Sequence, residues 1–323
     1  MISVNHPNNK NMKIKNLFGG VAILVCGSTA LCVQPALAQV TLTGTNYIQN
    51  FNAISSGLPT GWSVRTNATT ASLGTITSFP TAGKTWADTT GEFGNCASTM
   101  SNSGTNFNGL ESTTPIQSNC TNRSLAIRQT AGFGDPGAAF VFQIANTTGC
   151  SNLTFSVDLN MLGVQAHSTA WTIAYAVGNA PASFTTLGSY ADPGIFGATR
   201  ETYSLGSDAN NQSQNVWIRL VALSASTGTT GSRDTFGIDN FSLSWVNITP
   251  VNIARISIVA GNVQIDFAAG ASDVPTAFLL ASATRVDGDY ADVGATITSS
   301  GAGLFRAVCA VNGAQQFYCI KRP

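Results

Sequence analysis

The sequence predicts an all-β protein, a jelly-roll β-sandwich followed by a small C-terminal β-sandwich module, and three observations carry that expectation. From Leu153 to Met161 the apolar Leu153, Phe155, Val157, Leu159 and Met161 alternate strictly with Thr154, Ser156, Asp158 and Asn160, a period of two that a half-buried strand satisfies. Stretches of the same kind flank it, with turn residues between them at the spacing of an antiparallel sandwich. Charged residues are only 9% of the chain, and Ser, Thr and Asn fill the polar positions, as suits an extracellular β-protein.

The chain opens with a targeting pattern. Lys13-Ile14-Lys15 leads into an apolar run from Leu17 to Leu31, and Ala36-Leu37-Ala38 places small residues where a signal peptidase needs them. The reading is a signal peptide over 1–38, with Gln39 the first mature residue. Gly19, Gly20, Gly27, Ser28 and Gln34 interrupt the run and argue against a membrane anchor. No later segment has the apolar length of a bilayer span. After residue 38, twelve basic side chains stand against fifteen acidic ones, a net charge of −3. A nucleic-acid binder would show a basic face instead.

The jelly roll is expected over 39–245. Val40 to Asn52 reads as an opening strand, and Gly57-Leu-Pro-Thr-Gly-Trp62 turns the chain. Ser101 to Gln117 reads as an insertion or loop. Leu125 and Ile127, then Phe140, Phe142 and Ile144, then Trp171, Ile173, Tyr175 and Val177 mark successive strands. Asp135-Pro-Gly137 and Asp192-Pro-Gly194 read as turns, because proline fixes φ and glycine accepts positive φ. From Val216 to Leu223 both parities are largely apolar, which places that strand centrally. In the last strand Phe236 and Ile238 share one parity while Phe241, Leu243 and Trp245 share the other, so a β-bulge is expected near Asp239.

Three segments carry a resemblance: Asn50-Phe51 with Gly57 to Trp62, Ala126 to Gly137, and Arg233 to Leu243. They resemble the secreted bacterial jelly-roll modules of the choice-of-anchor, MAM-like or lectin-like type. The resemblance covers roughly 40–245 and implies first and last strands that lie near one another. It points to fold more than to activity. A linker is read over 246–251, and 252–323 resembles a small C-terminal β-module that ends in a Gln-Phe-Tyr-Arg-Ile pattern. Gln316-Phe-Tyr-Cys-Ile320 departs from that pattern at Cys319. If the strand bearing Cys309 pairs with it across a loop centred on Ala314, a disulfide between the two is geometrically plausible. Such a short cross-link is worth roughly 2 to 3 kcal/mol. Cys96 with Cys120 is the preferred second pair, which leaves Cys150 unpaired, although connectivity is not deducible from spacing.

Tests for chemistry mostly fail. His167 is the one histidine after residue 38, and no G-x-S-x-G elbow accompanies it. No spacing singles out the carboxylate pair of a glycosidase. Asp287, Asp289 and Asp292 put three carboxylates within six residues and are the candidate calcium cluster, with a solvated turn the favoured alternative. For ligand binding the candidates are Trp171 and Trp217 as stacking platforms, Arg219, which could pair with Asp158 or Asp239, and Asp239 at the bulge. The function expected is that of a secreted, non-catalytic binding protein without a resident cofactor, and the resemblance to lectin-like jelly rolls implies a glycan or surface polymer as partner. A self-associating structural protein is the alternative, and a hydrolase with an unrecognised carboxylate pair comes third.

Overall fold

The structure is a computed structural model that describes residues 38–109, 112–313 and 315–322. The predicted signal peptide lies outside the described residues apart from Ala38. Near that predicted boundary the backbone is already engaged: Gly61 N donates to Ala38 O at 2.8 Å, and Val40 N to Gln143 O at 3.1 Å. Among the described residues no helix is long and apolar enough to cross a membrane.

The chain is all-β. The main strands of its larger part are β1 (Asn46–Gln49), β2 (Trp62–Thr66), β3 (Glu92–Ala97), β4 (Arg123–Arg128), β5 (Ala139–Ile144), β6 (Cys150–Gly163), β7 (Trp171–Val177), β8 (Thr185–Tyr190), β9 (Gly197–Ser204), β10 (Val216–Val221) and β11 (Thr235–Asn247). One sheet runs β9-β6-β11-β4-β3 and ends on the short strand Gly83–Lys84, with β1 added alongside β11. The other runs β8-β7-β10-β5-β2 and ends on Thr75–Ile76. The pairing of β1 with β11, Asn46 opposite Ser244, brings first and last strands together.

The alternation read along Leu153–Met161 is the burial pattern of β6, whose five apolar side chains are at most 1% exposed. Leu153, Phe155, Val157 and Leu159 meet Phe51, Trp62, Phe140, Phe142, Phe236 and Phe241 in one core between the sheets. Burial of so many rings is the main stabilising term, because apolar area leaves water at roughly 25 cal/mol per Å². Strand β10 is buried along its whole length and sits between β7 and β5, as its two apolar faces predict. The ladder of β11 on β6 slips between Asp239 and Ser242, so the expected bulge is present, with Asn240 at a φ of 46°.

A separate core lies beyond Pro250. Its strands are β12 (Asn252–Val259), β13 (Asn262–Ala268), β14 (Leu279–Ala283), β15 (Thr296–Gly301), β16 (Leu304–Ala310) and β17 (Phe317–Lys321). They form one sheet in the order β12-β13-β16-β15 and a second of Ala291–Asp292, β14 and β17. Val263, Ile265, Phe267, Phe278, Leu280, Phe305 and Ala307 fill the space between them. Ile256 and Ile258 on β12 remain 55% and 71% exposed, because β12 is an edge strand.

The cysteine expectations are corrected here. Strand β17 pairs with β14, whereas β16 pairs with β13 and β15, so Cys309 and Cys319 sit in different sheets rather than opposite one another. Cys96, Cys120, Cys150, Cys309 and Cys319 are all thiols in the structure. Cys96 and Cys120 do share a small apolar cluster. The Cys120 thiol lies 3.3 Å from Asn122 O as a donor, and burial pushes the Cys96 thiol up to about 12.

Candidate functional site

The expected stacking platforms are both covered. Trp171 is 1% exposed and stacks inside the core on Phe236, centroids 4.5 Å apart, so it presents no face to a ligand. Trp217 lies on the outer face of the β10 sheet but is 5% exposed, packed with Ala68, Leu73 and Phe184, and its indole donates to Gly178 O at 2.7 Å. Arg219 beside it pairs with neither Asp158 nor Asp239, which belong to the opposite sheet. Its Nη1 donates to Thr69 O at 2.8 Å and Ser72 O at 2.9 Å, and its guanidinium lies over the Phe184 ring at 3.3 Å. Burial lowers its pKa to about 10.

Asp158 instead meets Arg200, Nη1 to Oδ1 at 2.9 Å, and accepts from Asn240 Nδ2 at 2.8 Å. Asp239, its cross-strand neighbour, is fully buried. It accepts from Ser98 Oγ at 2.6 Å and from Asn240 N at 2.7 Å, and desolvation still raises its carboxyl to about 7. The bulge therefore aims Asp239 into a buried polar cluster with Ser98, Ser124 and Asn160. Asp239 is a structural anchor in this arrangement, with no face open to a ligand.

The Asp287, Asp289 and Asp292 cluster also comes apart. Asp287 takes both forks of Arg285 at 3.1 Å, Asp292 accepts from Gly294 N at 2.9 Å, and Asp289 is exposed. Among the described residues no three His, Cys, Asp or Glu side chains converge as a metal site would require. His167 has Ser226 Oγ 3.4 Å from Nδ1, but that hydroxyl donates to Asp135 at 2.6 Å. The Ser-His-Asp wiring of a hydrolase needs the acid on the histidine, and here it is on the serine. Asp135 also pairs with Arg233, so this first Asp-Pro-Gly aspartate is 1% exposed and ties loops together rather than capping a solvated turn.

The open feature is elsewhere. A cleft of about 580 Å³ lies beside the end of β6, lined by residues 85–87, 108–109, 112–114, 117, 162–165 and 194–196. One of these segments runs into a helix, α1 (Thr114–Asn119), where the sequence suggests only a loop. Pro115 near its start has no donor to lose, which suits the first turn. Inside, Trp86 packs on Phe196 and Phe107, centroids 4.8 Å and 5.4 Å away. Trp86 is held along its backbone as well. Its N–H reaches Gln117 Oε1 at 2.9 Å, and its carbonyl accepts from Thr235 Oγ1 at 2.7 Å and Arg128 Nη1 at 3.3 Å. Gln117 is fixed in turn by its own donation to Ser112 O at 2.8 Å.

The mouth of the cleft is apolar on one side and hydroxylic on the other. Ile195 and Val164 are 69% and 39% exposed beside Phe196, and Asn108, Thr113, Thr114 and Gln165 present amides and hydroxyls. Among the described lining residues none carries a charge. An arrangement like this suits an uncharged ligand with both apolar faces and hydroxyl groups. Sequence reading missed it because its walls come from separated segments. The one local hint was Phe196 following the second Asp-Pro-Gly turn.

No protein-family model matches the chain, and neither does any curated protein sequence. Solved structures give slight likenesses. The carbohydrate-binding and catalytic modules of a Clostridium thermocellum xylanase, complexed with xylohexaose, match over 63% of this chain and 29% of that one, at 8% identity and a TM-score of 0.35. A tandem pair of carbohydrate-binding modules from a Paenibacillus barcinonensis xylanase matches over 90% and 86%, at 8% identity and a TM-score of 0.37. An adhesin domain of Lys-gingipain from Porphyromonas gingivalis matches over 62% and 98%, at 10% identity and a TM-score of 0.34. Likenesses this slight carry no argument about what the chain binds.

Proposed function

We propose that the protein is an exported, non-catalytic binding module that takes a neutral saccharide in the cleft between Trp86, Phe196 and the α1 segment. The observation that supports this reading is a cleft whose described lining residues are uncharged, with one apolar and one hydroxyl-and-amide side. Pyranose rings have the same two-sided character, and each ring hydroxyl left unpaired on burial would cost about 1–3 kcal/mol. Ile195 and Phe196 would take the C–H face, while Asn108, Thr113, Thr114 and Gln165 lie where hydroxyls need partners. Acidic glycans gain nothing from a site without a cation.

A glycan array tests this. Binding confined to neutral glycans, and weakened in Phe196→Ala, is the expected result. A blank array from folded protein, or preference for sulfated or uronic sugars, would refute it. The exposed edge of β12 supports a second reading, a surface protein that self-associates through strand pairing. Its apolar Ile253, Ile256, Ile258 and Val259 lie on a strand hydrogen-bonded on one side only, among the described residues. Light scattering of wild type and Ile258→Lys at rising concentration separates the two readings.

A further inference from the structure

We propose that the mature chain is blocked at its N-terminus, Gln39 closing on its own nitrogen to form a pyroglutamyl ring that takes over a backbone hydrogen bond Ala38 supplies before cleavage. This rests on the export reading, with the cut after Ala38, and makes no use of the cleft.

The segment that the cut would leave at the new terminus is already part of the sandwich. Val40 is 7% exposed and pairs in parallel with Ile144 of β5. Val40 N donates to Gln143 O at 3.1 Å, Ala145 N to Val40 O at 2.8 Å, and Gln143 N to Gly61 O at 2.8 Å. Gly61 is buried at a φ of 83°, and a Cβ there would lie 2.6 Å from Val40 Cγ2 and 3.1 Å from Gln143 O. Only glycine fits so close an approach at that φ, which fixes where the entering segment lies. Gly61 N then donates to Ala38 O at 2.8 Å, while Ala38 and Gln39 themselves stay exposed.

Hydrolysis after Ala38 removes that carbonyl and leaves an α-ammonium on Gln39. Two donors, the ammonium and Gly61 N–H, then stand where one carbonyl had satisfied one of them, and a buried N–H without an acceptor is destabilising. The hollow of about 320 Å³ beside this point is lined by Leu58, Pro59, Thr60, Trp62 and Ile76 among others, and none of its described lining residues is an acid that would pair with the ammonium.

A glutamine at the cut can remove both faults with its own side chain. The α-amine lone pair attacks Cδ of the side-chain amide. The N–Cδ bond forms, the Cδ–Nε2 bond breaks, one amine proton passes to Nε2, and ammonia leaves. No oxidant, reductant or second substrate is required. The lactam is uncharged, keeps one N–H, and carries a carbonyl bonded to the Gln39 nitrogen, as the Ala38 carbonyl was. Turning about ψ of the exposed terminal residue offers that carbonyl to Gly61 N–H.

Mass spectrometry and hydrogen exchange on the full chain, expressed with its leader and recovered after export, test this. The N-terminal peptide should begin at residue 39 and, after storage at neutral pH, be lighter by one molecule of ammonia. Protection of the Gly61 amide should rise about tenfold as the ring closes, the equivalent of one recovered hydrogen bond. Gln39→Ala cannot close, so it should keep its amine and show no such rise. A peptide that starts at Gln39 and keeps its amine on storage would overturn the ring and leave the export reading standing. Ring closure without a change at Gly61 would overturn the takeover of the hydrogen bond. An uncleaved chain, or a cut elsewhere, would overturn the ring and the predicted cut together.

Discussion

The two outer faces of the sandwich both bury arginines against carbonyls and differ in what else they bury. On the β10 sheet, Arg65 and Arg219 are 8% and 1% exposed and, among the described residues, neither pairs with an acid. Carbonyls of the 69–74 loop and the rings of Trp217 and Phe184 take the place of a counter-ion. That face is closed. On the β6 sheet Arg123 and Arg128 are buried too, at 6% and 7% exposed, and beside them Asp239 and Asp234 have raised carboxyls that relieve burial by holding a proton. The cover there leaves a cleft. A guanidinium cannot give up its charge as a carboxyl can, so on both faces the buried arginines donate to carbonyls, and only the β6 sheet adds acids that can hold a proton instead.

The sharpest way to break this comparison is to remove its common support. Trp171→Ala opens the core that both sheets share and should cost about 3–5 kcal/mol in urea unfolding. A loss below about 1 kcal/mol would mean that Trp171 is not the packed residue described. Next, Arg219→Met should cost about 2–3 kcal/mol, because Thr69 O and Ser72 O lose a charged donor. Binding in the cleft should be untouched, so a variant that loses affinity while folded contradicts the separation of the faces. Phe196→Ala should weaken a neutral saccharide about tenfold, near 1.4 kcal/mol, with a far smaller effect on unfolding.

The pH dependence is a finer test. Asp239 has a higher pKa in the fold, about 7, than its ordinary 3.8, so the unfolded chain releases that proton first as pH rises. Its contribution to stability therefore falls between about pH 4 and pH 7 and levels off above. Asp239→Asn should flatten that fall when urea midpoints at pH 5 and pH 7.5 are compared, and an unchanged slope would point to another group. The smallest effect concerns the thiols. Unfolded, unreduced protein should react with five equivalents of a thiol reagent across residues 39–323, and folded protein should keep Cys96 unlabelled.

Much of the fold was legible because strand periodicity is local. Leu153 to Met161, the two-faced strand at Val216 and the parity break at Asp239 each announced their place. What they lie against was not. Alternation tells which side of a strand is apolar, and on Trp217 it says nothing of the loop that covers the outer side. Arg219 had Asp158 or Asp239 as possible partners, and the topology puts both acids on the other sheet. The same holds for Cys309 and Cys319, whose strands were assumed to be paired because they are consecutive. The cleft was the least legible part, since Trp86, Gln117, Gln165 and Phe196 meet only after the segments are assembled.

Arg123 gives the insertion a further property. From the sheet its Nη1 reaches Gln117 O at 3.0 Å and Cys120 O at 3.1 Å, while its Nε is held by Asn95 Oδ1 at 2.6 Å. The contacts to the insertion are to carbonyls, which every amino acid supplies. Side chains at the exposed positions Asn108, Thr113 and Thr114 are thus free to vary without disturbing the attachment. The sandwich therefore works here as a socket, gripping this segment at residues 117 and 120 through the backbone.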